Sequence, residues 1–113
     1  MNREEASQAL HLTAAQFADR KRAGRVLVVD FWATWCMPCK MLGPVIEQLA
    51  ADYEGRAVAG KVDIDEQREL AEEYHIQSVP TVMIFRDGEP VDTLIGVRPL
   101  DVIKAAVDKA LNR

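Results

Sequence analysis

Short, nearly continuous apolar runs alternate along this chain with longer stretches in which apolar residues recur every three or four positions. The first pattern marks buried strands and the second marks amphipathic helices. Val26 to Phe31 is almost unbroken apolar sequence, as a central strand covered on both faces requires. Leu10-His11-Leu12 reads as a short edge strand, and Ala57 to Asp63 as a third strand. Thr81 to Arg86 and Val91 to Ile95 form a pair joined by Asp87-Gly88, a hairpin signal, with Gly96 ending the second.

The helices follow from the other pattern. Thr13-Ala14-Ala15-Gln16 fits a capping box, with Leu12 and Phe17 as its hydrophobic staple, and the helix runs to about Ala23 before Gly24. A second helix starts near Cys36, with Met41, Leu42, Val45, Ile46, Leu49 and Ala50 on its core face. Pro44 lies inside it and should kink it near Lys40. A short helix from about Glu66 to Tyr74, capped by Asp63 or Asp65, packs through Leu70, Ala71 and Tyr74. Leu100, Ile103, Val107, Ala110 and Leu111 mark the stripe of a C-terminal helix. The order βαβαβαββα predicts an α/β fold: a central sheet covered on both faces, with an antiparallel hairpin at one edge.

Composition narrows the function. The 113 residues make one domain, spanning 1–113, with 1–8 as an N-terminal extension or the start of the first element. The net charge of −4 argues against nucleic acid as a partner. Arg20-Lys21-Arg22 is most simply a solvated helix end. No apolar run approaches the roughly 18 residues of a membrane span. The start of the chain carries acids and no apolar signal core, so secretion is not expected.

The only two cysteines share one tetrapeptide, Cys36-Met37-Pro38-Cys39, between the central strand and the second helix. A helix N-terminus offers unpaired N–H groups and a dipole that favour a thiolate, the attacking form of cysteine. Cys36 is the candidate nucleophile, at a position where exposure and a lowered pKa can coincide. Cys39, one turn further in and more buried, is the candidate resolving thiol. Pro38 suits a first helical turn, and Met37 would project an apolar side chain beside the sulfur. A pair of inert buried thiols is an alternative. So is a metal site, but four ligands are needed and only His11 and His75 could join, each far along the chain. A cluster shared between two chains is a further alternative.

Asp30 interrupts the central strand on the face of Val26 and Val28. Burial there should raise its pKa, fitting it to move a proton to or from a thiol. Lys61, on a strand expected to neighbour this one, is its candidate charge partner. Val79-Pro80 enters the hairpin strand, where a cis bond would redirect the backbone.

These residues together resemble the thioredoxin family. The resemblance runs through Val29-Asp30-Phe31-Trp32-Ala33-Thr34-Trp35-Cys36-Met37-Pro38-Cys39-Lys40, Lys61-Val62-Asp63-Ile64-Asp65, Ile76-Gln77-Ser78-Val79-Pro80-Thr81, and Phe85-Arg86-Asp87-Gly88 to Gly96. It implies the thioredoxin fold, a five-stranded mixed sheet flanked by four helices. It implies that Cys36 attacks, Cys39 resolves, and Asp30 with Lys61 assists proton transfer. It implies a cis Val79-Pro80 beside the disulfide, with Val79 pairing an extended substrate. Trp32 and Trp35 would line the site, with Met37 and Pro38 beside it, and Gly96 would admit a partner closely. Met37 stands where family members usually carry Gly.

The resulting expectation is a cytoplasmic, monomeric protein-disulfide reductase. It would bind no cofactor and no metal, act on oxidised proteins, and draw electrons from NADPH through a flavoprotein, thioredoxin reductase. A disulfide oxidase or isomerase, or a redox-inactive binding subunit on the same fold, are the alternatives.

Overall fold

The central strand decides the arrangement of everything else. In a computed structural model of the chain, which describes residues 8–113, this strand (β2, Val26–Trp32) is buried from Val26 to Phe31. Residues 1–7, and with them most of the expected N-terminal extension, lie outside the described residues. β2 pairs in parallel with β3 (Ala57–Asp63) and antiparallel with β4 (Thr81–Arg86). β1 (Leu10–His11) adds in parallel to the outer edge of β3, and β5 (Glu89–Ile95) adds antiparallel to β4. The sheet order is β1-β3-β2-β4-β5.

Alternation along β2 feeds two cores. Val26 and Val28 face one side, where α2 (Met37–Asp52) and α4 (Leu100–Leu111) supply Leu42, Ile46, Leu49, Ile103 and Val107. Leu27, Val29 and Phe31 face the other, against Phe17 of α1 (Ala14–Arg22) and Leu70 of α3 (Arg68–Glu73). A strand buried on both faces must be apolar at every position, which is why its sequence shows a run and not an alternation. Phe17, Tyr74 and Phe85 meet edge to face in this second core.

The capping box forms as expected: Thr13 Oγ1 accepts from the Gln16 N–H at 3.2 Å, and Gln16 Oε1 accepts from the Thr13 N–H at 2.9 Å. Leu12 and Phe17, the staple pair, share one cluster. Asp87 and Gly88 both take positive φ, 51° and 85°, the conformation that matches a two-residue turn to strand twist.

Four expectations need correction. Met41 is exposed, not on the core face of α2; it sits about a hundred degrees round from Leu42, outside the stripe that Cys39, Leu42, Ile46, Leu49 and Ala50 define. α3 starts at Arg68, because Asp63 Oδ1 holds a turn by accepting the N–H groups of Asp65 and Glu66. β5 starts at Glu89, directly after the turn. Lys21 is not simply solvated: its ammonium donates to Tyr74 Oη at 3.0 Å and lies near the Phe17 and Tyr74 rings. Pro44 lies within α2, which continues through it as one helix.

Candidate active site

β2 ends at Trp32 and α2 begins at Met37, so the tetrapeptide sits where the strand delivers the chain to a helix start. Cys36 is the N-cap, with extended backbone, and its Sγ accepts the Cys39 N–H at 3.1 Å. Met37 and Pro38 occupy the first helical positions, where the absent Pro N–H has no helical carbonyl to serve. Cys36 and Cys39 are joined in a disulfide, with Cα atoms 5.3 Å apart.

Cys39 is buried as expected, but Cys36 is more covered than the sequence suggested. Cys36 is 4% exposed and Cys39 2%. The difference has the expected sense, but Cys36 is not openly exposed in the disulfide form. Ala33 is fully buried beneath the pair, and Trp32, Ile64 and Val79 pack around it. The Val79 carbonyl oxygen lies 3.7 Å from Cys36 Sγ, and Val79-Pro80 is cis. Val79 precedes β4 and lies outside its pairing registers.

Asp30 is fully buried, and neither carboxyl oxygen has a hydrogen-bond partner. Burial pushes its pKa up to about 7, with the Lys61 charge pulling partly the other way. Asp30 and Lys61 are direct partners in the β2–β3 register, so their side chains share a sheet face. That face also carries Val28 and is covered by α2, whose first turn holds Cys39. The Lys61 ammonium lies 4.8 Å from the Trp32 ring centroid. Trp32 therefore touches both the disulfide cluster and the cation beside Asp30. Its own Nε1 is buried without a partner.

The rim is apolar. Trp35 is 66% exposed and Met37 69%, with Ile95 and Val97 also exposed. The last two flank Gly96, whose N–H donates to the Pro80 carbonyl at 2.8 Å, tying that segment to the cis peptide. A Cβ at Gly96 would meet nothing within 4 Å, so the space above it is open.

The candidate catalytic and substrate-binding residues gather in one neighbourhood, and of the two histidines only His11 reaches its margin. His11 is exposed, its ring centroid 6.3 Å from that of Trp32 at an interplanar angle of 67°, and His75 is exposed at the end of α3. Among the described residues no group of three or more His, Cys, Asp or Glu side chains could hold a metal ion. Sequence reasoning missed three contributors. Asp65, expected as a helix cap, instead accepts the Trp35 indole N–H at 2.9 Å and fixes that ring at the rim. Ile95 and Val97 were signalled only by being apolar on either side of a glycine.

The thioredoxin family model matches residues 8–109. A thioredoxin of Staphylococcus aureus is 48% identical over 100 residues, covering 88% of this chain and 95% of that protein. A mutant thioredoxin from Halobacterium salinarum superposes with a TM-score of 0.88 at 33% identity, covering 95% of this chain and 94% of the other. The Malassezia sympodialis thioredoxin Mala s 13 gives 0.84 at 36% identity, covering 92% and 91%.

Proposed function

The chain belongs to the thioredoxin family and is a protein-disulfide reductase, and from that premise we propose how its own residues divide the work. Cys36 is the nucleophile. As a thiolate it attacks one sulfur of a substrate disulfide, the substrate S–S bond breaks, and a mixed disulfide forms on Cys36. Cys39 then gives up its proton and attacks Cys36 Sγ. The second substrate thiolate leaves, and the Cys36–Cys39 disulfide remains. Asp30 takes the Cys39 proton and passes it outward, because a carboxyl of pKa about 7 is matched to that exchange near neutral pH. Lys61 limits how far burial neutralises Asp30.

One observation carries the assignment of nucleophile. The Cys39 N–H donates to Cys36 Sγ at a helix N-terminus, so negative charge developing on that sulfur meets a donor and the helix dipole already in place. Trp35, Met37, Val79, Pro80 and Gly96 receive the substrate, with Trp32 backing the site and Pro38 shaping the helix start. Val79 pairs with an extended substrate segment. A thioredoxin reductase drawing on NADPH restores the dithiol. The chain acts as a monomer in the cytoplasm on oxidised proteins.

The two single serine variants test the roles. With a model protein disulfide, Cys39→Ser should accumulate a covalent adduct on Cys36, visible by mass spectrometry and released by a small thiol. Cys36→Ser should form none. NADPH-coupled turnover should be lost in both. Equal trapping by the two variants would contradict the assignment.

A further inference from the structure

Met37 and Met41 belong to none of the buried clusters of the fold. Each is 69% exposed. Both lie in α2, four residues apart, so they are neighbours on the outer surface of its first turns. Helical side chains lean toward the N-terminus, which aims Met41 back over the turn that holds Met37 and the Cys36 N-cap. Trp35, on the other side of Cys36 in the chain, is exposed as well. Met83 is the opposite case: it lies in β4, 7% exposed, and packs in the core that faces α1 and α3. These three are the methionines among the described residues.

The exposed pair has a chemistry of its own. While the Cys36–Cys39 disulfide is closed, the chain has no free thiol to oxidise. The thioethers of Met37 and Met41 are then the sulfur open to an oxidant. With a peroxide the step is balanced: a lone pair on Sδ attacks one peroxide oxygen, the O–O bond breaks, an S–O bond forms, and after proton transfer water leaves. The sulfur loses two electrons and the peroxide is reduced by two. The product, methionine sulfoxide, is polar where the thioether was apolar and adaptable.

We propose that Met37 and Met41 form an oxidant-sensitive modification site, at which a peroxide converts the two thioethers to sulfoxides and slows the access of protein disulfides to Cys36. This rests on the reductase reading above and adds regulation to that site. A protein docking on the rim must cover the new polar oxygens or stay clear of them, and either weakens contact. The sulfur chemistry is spared, because the Cys39 N–H and the helix start that favour the Cys36 thiolate are backbone features. A small disulfide, which needs no rim, should react as before.

The test treats the oxidised full chain with hydrogen peroxide, removes the peroxide, and maps the added oxygen by peptide mass spectrometry. Met37 and Met41 should each gain one oxygen about tenfold faster than Met83, or more, because reactivity follows exposure. The disulfide is then reduced with a small dithiol, and single-turnover rates are measured with insulin and with a small aryl disulfide. Each rate is read against the same protein before treatment. The insulin rate should fall about threefold or more, as an unpaired polar group at a contact implies, and the aryl disulfide rate should hold. The double variant Met37→Leu with Met41→Leu keeps apolar bulk and cannot take up oxygen, so treatment should leave its insulin rate at its own untreated value. Met83→Leu should lose rate on treatment as the parent does. Oxidation of Met83 as fast as the pair, equal losses with both substrates, or a loss that persists in the double variant would overturn the proposal. A parent chain inactive on insulin before treatment would overturn the reductase reading itself; normal untreated activity with no loss on treatment would overturn only the modification site.

Discussion

Met37 stands where the family resemblance leads one to expect Gly, and its position limits what it can do. It is the first helical residue of α2 and is 69% exposed. The donor to Cys36 Sγ is the Cys39 N–H, a backbone group that Met37→Gly leaves in place. The reduction potential should therefore move by less than about 30 mV, equivalent to roughly 1.4 kcal/mol for two electrons. The rim does change. A thioether on a flexible stem packs against varied partners, and it shares the exposed rim with Trp35. Rates with protein disulfides should fall a few-fold while rates with small disulfides hold. Stopped-flow measurement with both substrate classes, beside a redox titration, separates the cases. A large change in potential with equal effects on both classes would assign Met37 to the chemistry of the sulfur instead.

At the scale of elements, α2 holds a weak point that can be strengthened. Gly43 lies inside the helix, where glycine is less stable than alanine by roughly 0.5–1 kcal/mol. A Cβ there would meet only Lys61 Nζ, at 3.8 Å, an ordinary contact with the mobile end of a side chain. Gly43→Ala should raise stability by about 0.5–1 kcal/mol in urea denaturation; a loss would mean the Lys61 ammonium has no room to give.

The elements were largely legible in sequence because each carries its own local signal. β3 is found at Ala57–Asp63 as the apolar pattern predicts, and the capping box announces α1. Three of the misplacements share a cause, side chains engaged by residues distant in sequence or in neighbouring turns. Asp63 diverts the start of α3, Tyr74 captures Lys21, and Asp65 holds Trp35. At the site, Asp30 was legible because of the nearby cysteines; alone, a carboxyl at this place in an apolar run reads first as a strand-end residue whose carboxylate reaches water or caps the next turn.

The whole molecule bears the cost of keeping Asp30 inside. Its carboxyl is fully buried without a hydrogen bond, and burial raises its pKa to about 7 against the partial pull of Lys61. The unfolded chain releases the same proton near pH ~3.9. Between those values the native state binds a proton that the unfolded state has lost, so stability falls as pH rises from about 4 to about 7 and then levels. That separation corresponds to at most about 4 kcal/mol. Asp30→Ala removes the penalty and leaves a small void, so at about pH 8 it should be more stable than the parent by roughly 1–4 kcal/mol. Near pH 3, with the carboxyl protonated in both states, the advantage should vanish or reverse. Disulfide exchange should slow, because Cys39 has lost the base proposed for it. Denaturation curves at the two pH values, run on the oxidised proteins, isolate the electrostatic part, since the void contributes equally at both. If the difference between variant and parent is the same at both, Asp30 titrates alike in the folded and unfolded chain, and its role as a proton carrier near neutral pH loses its physical basis.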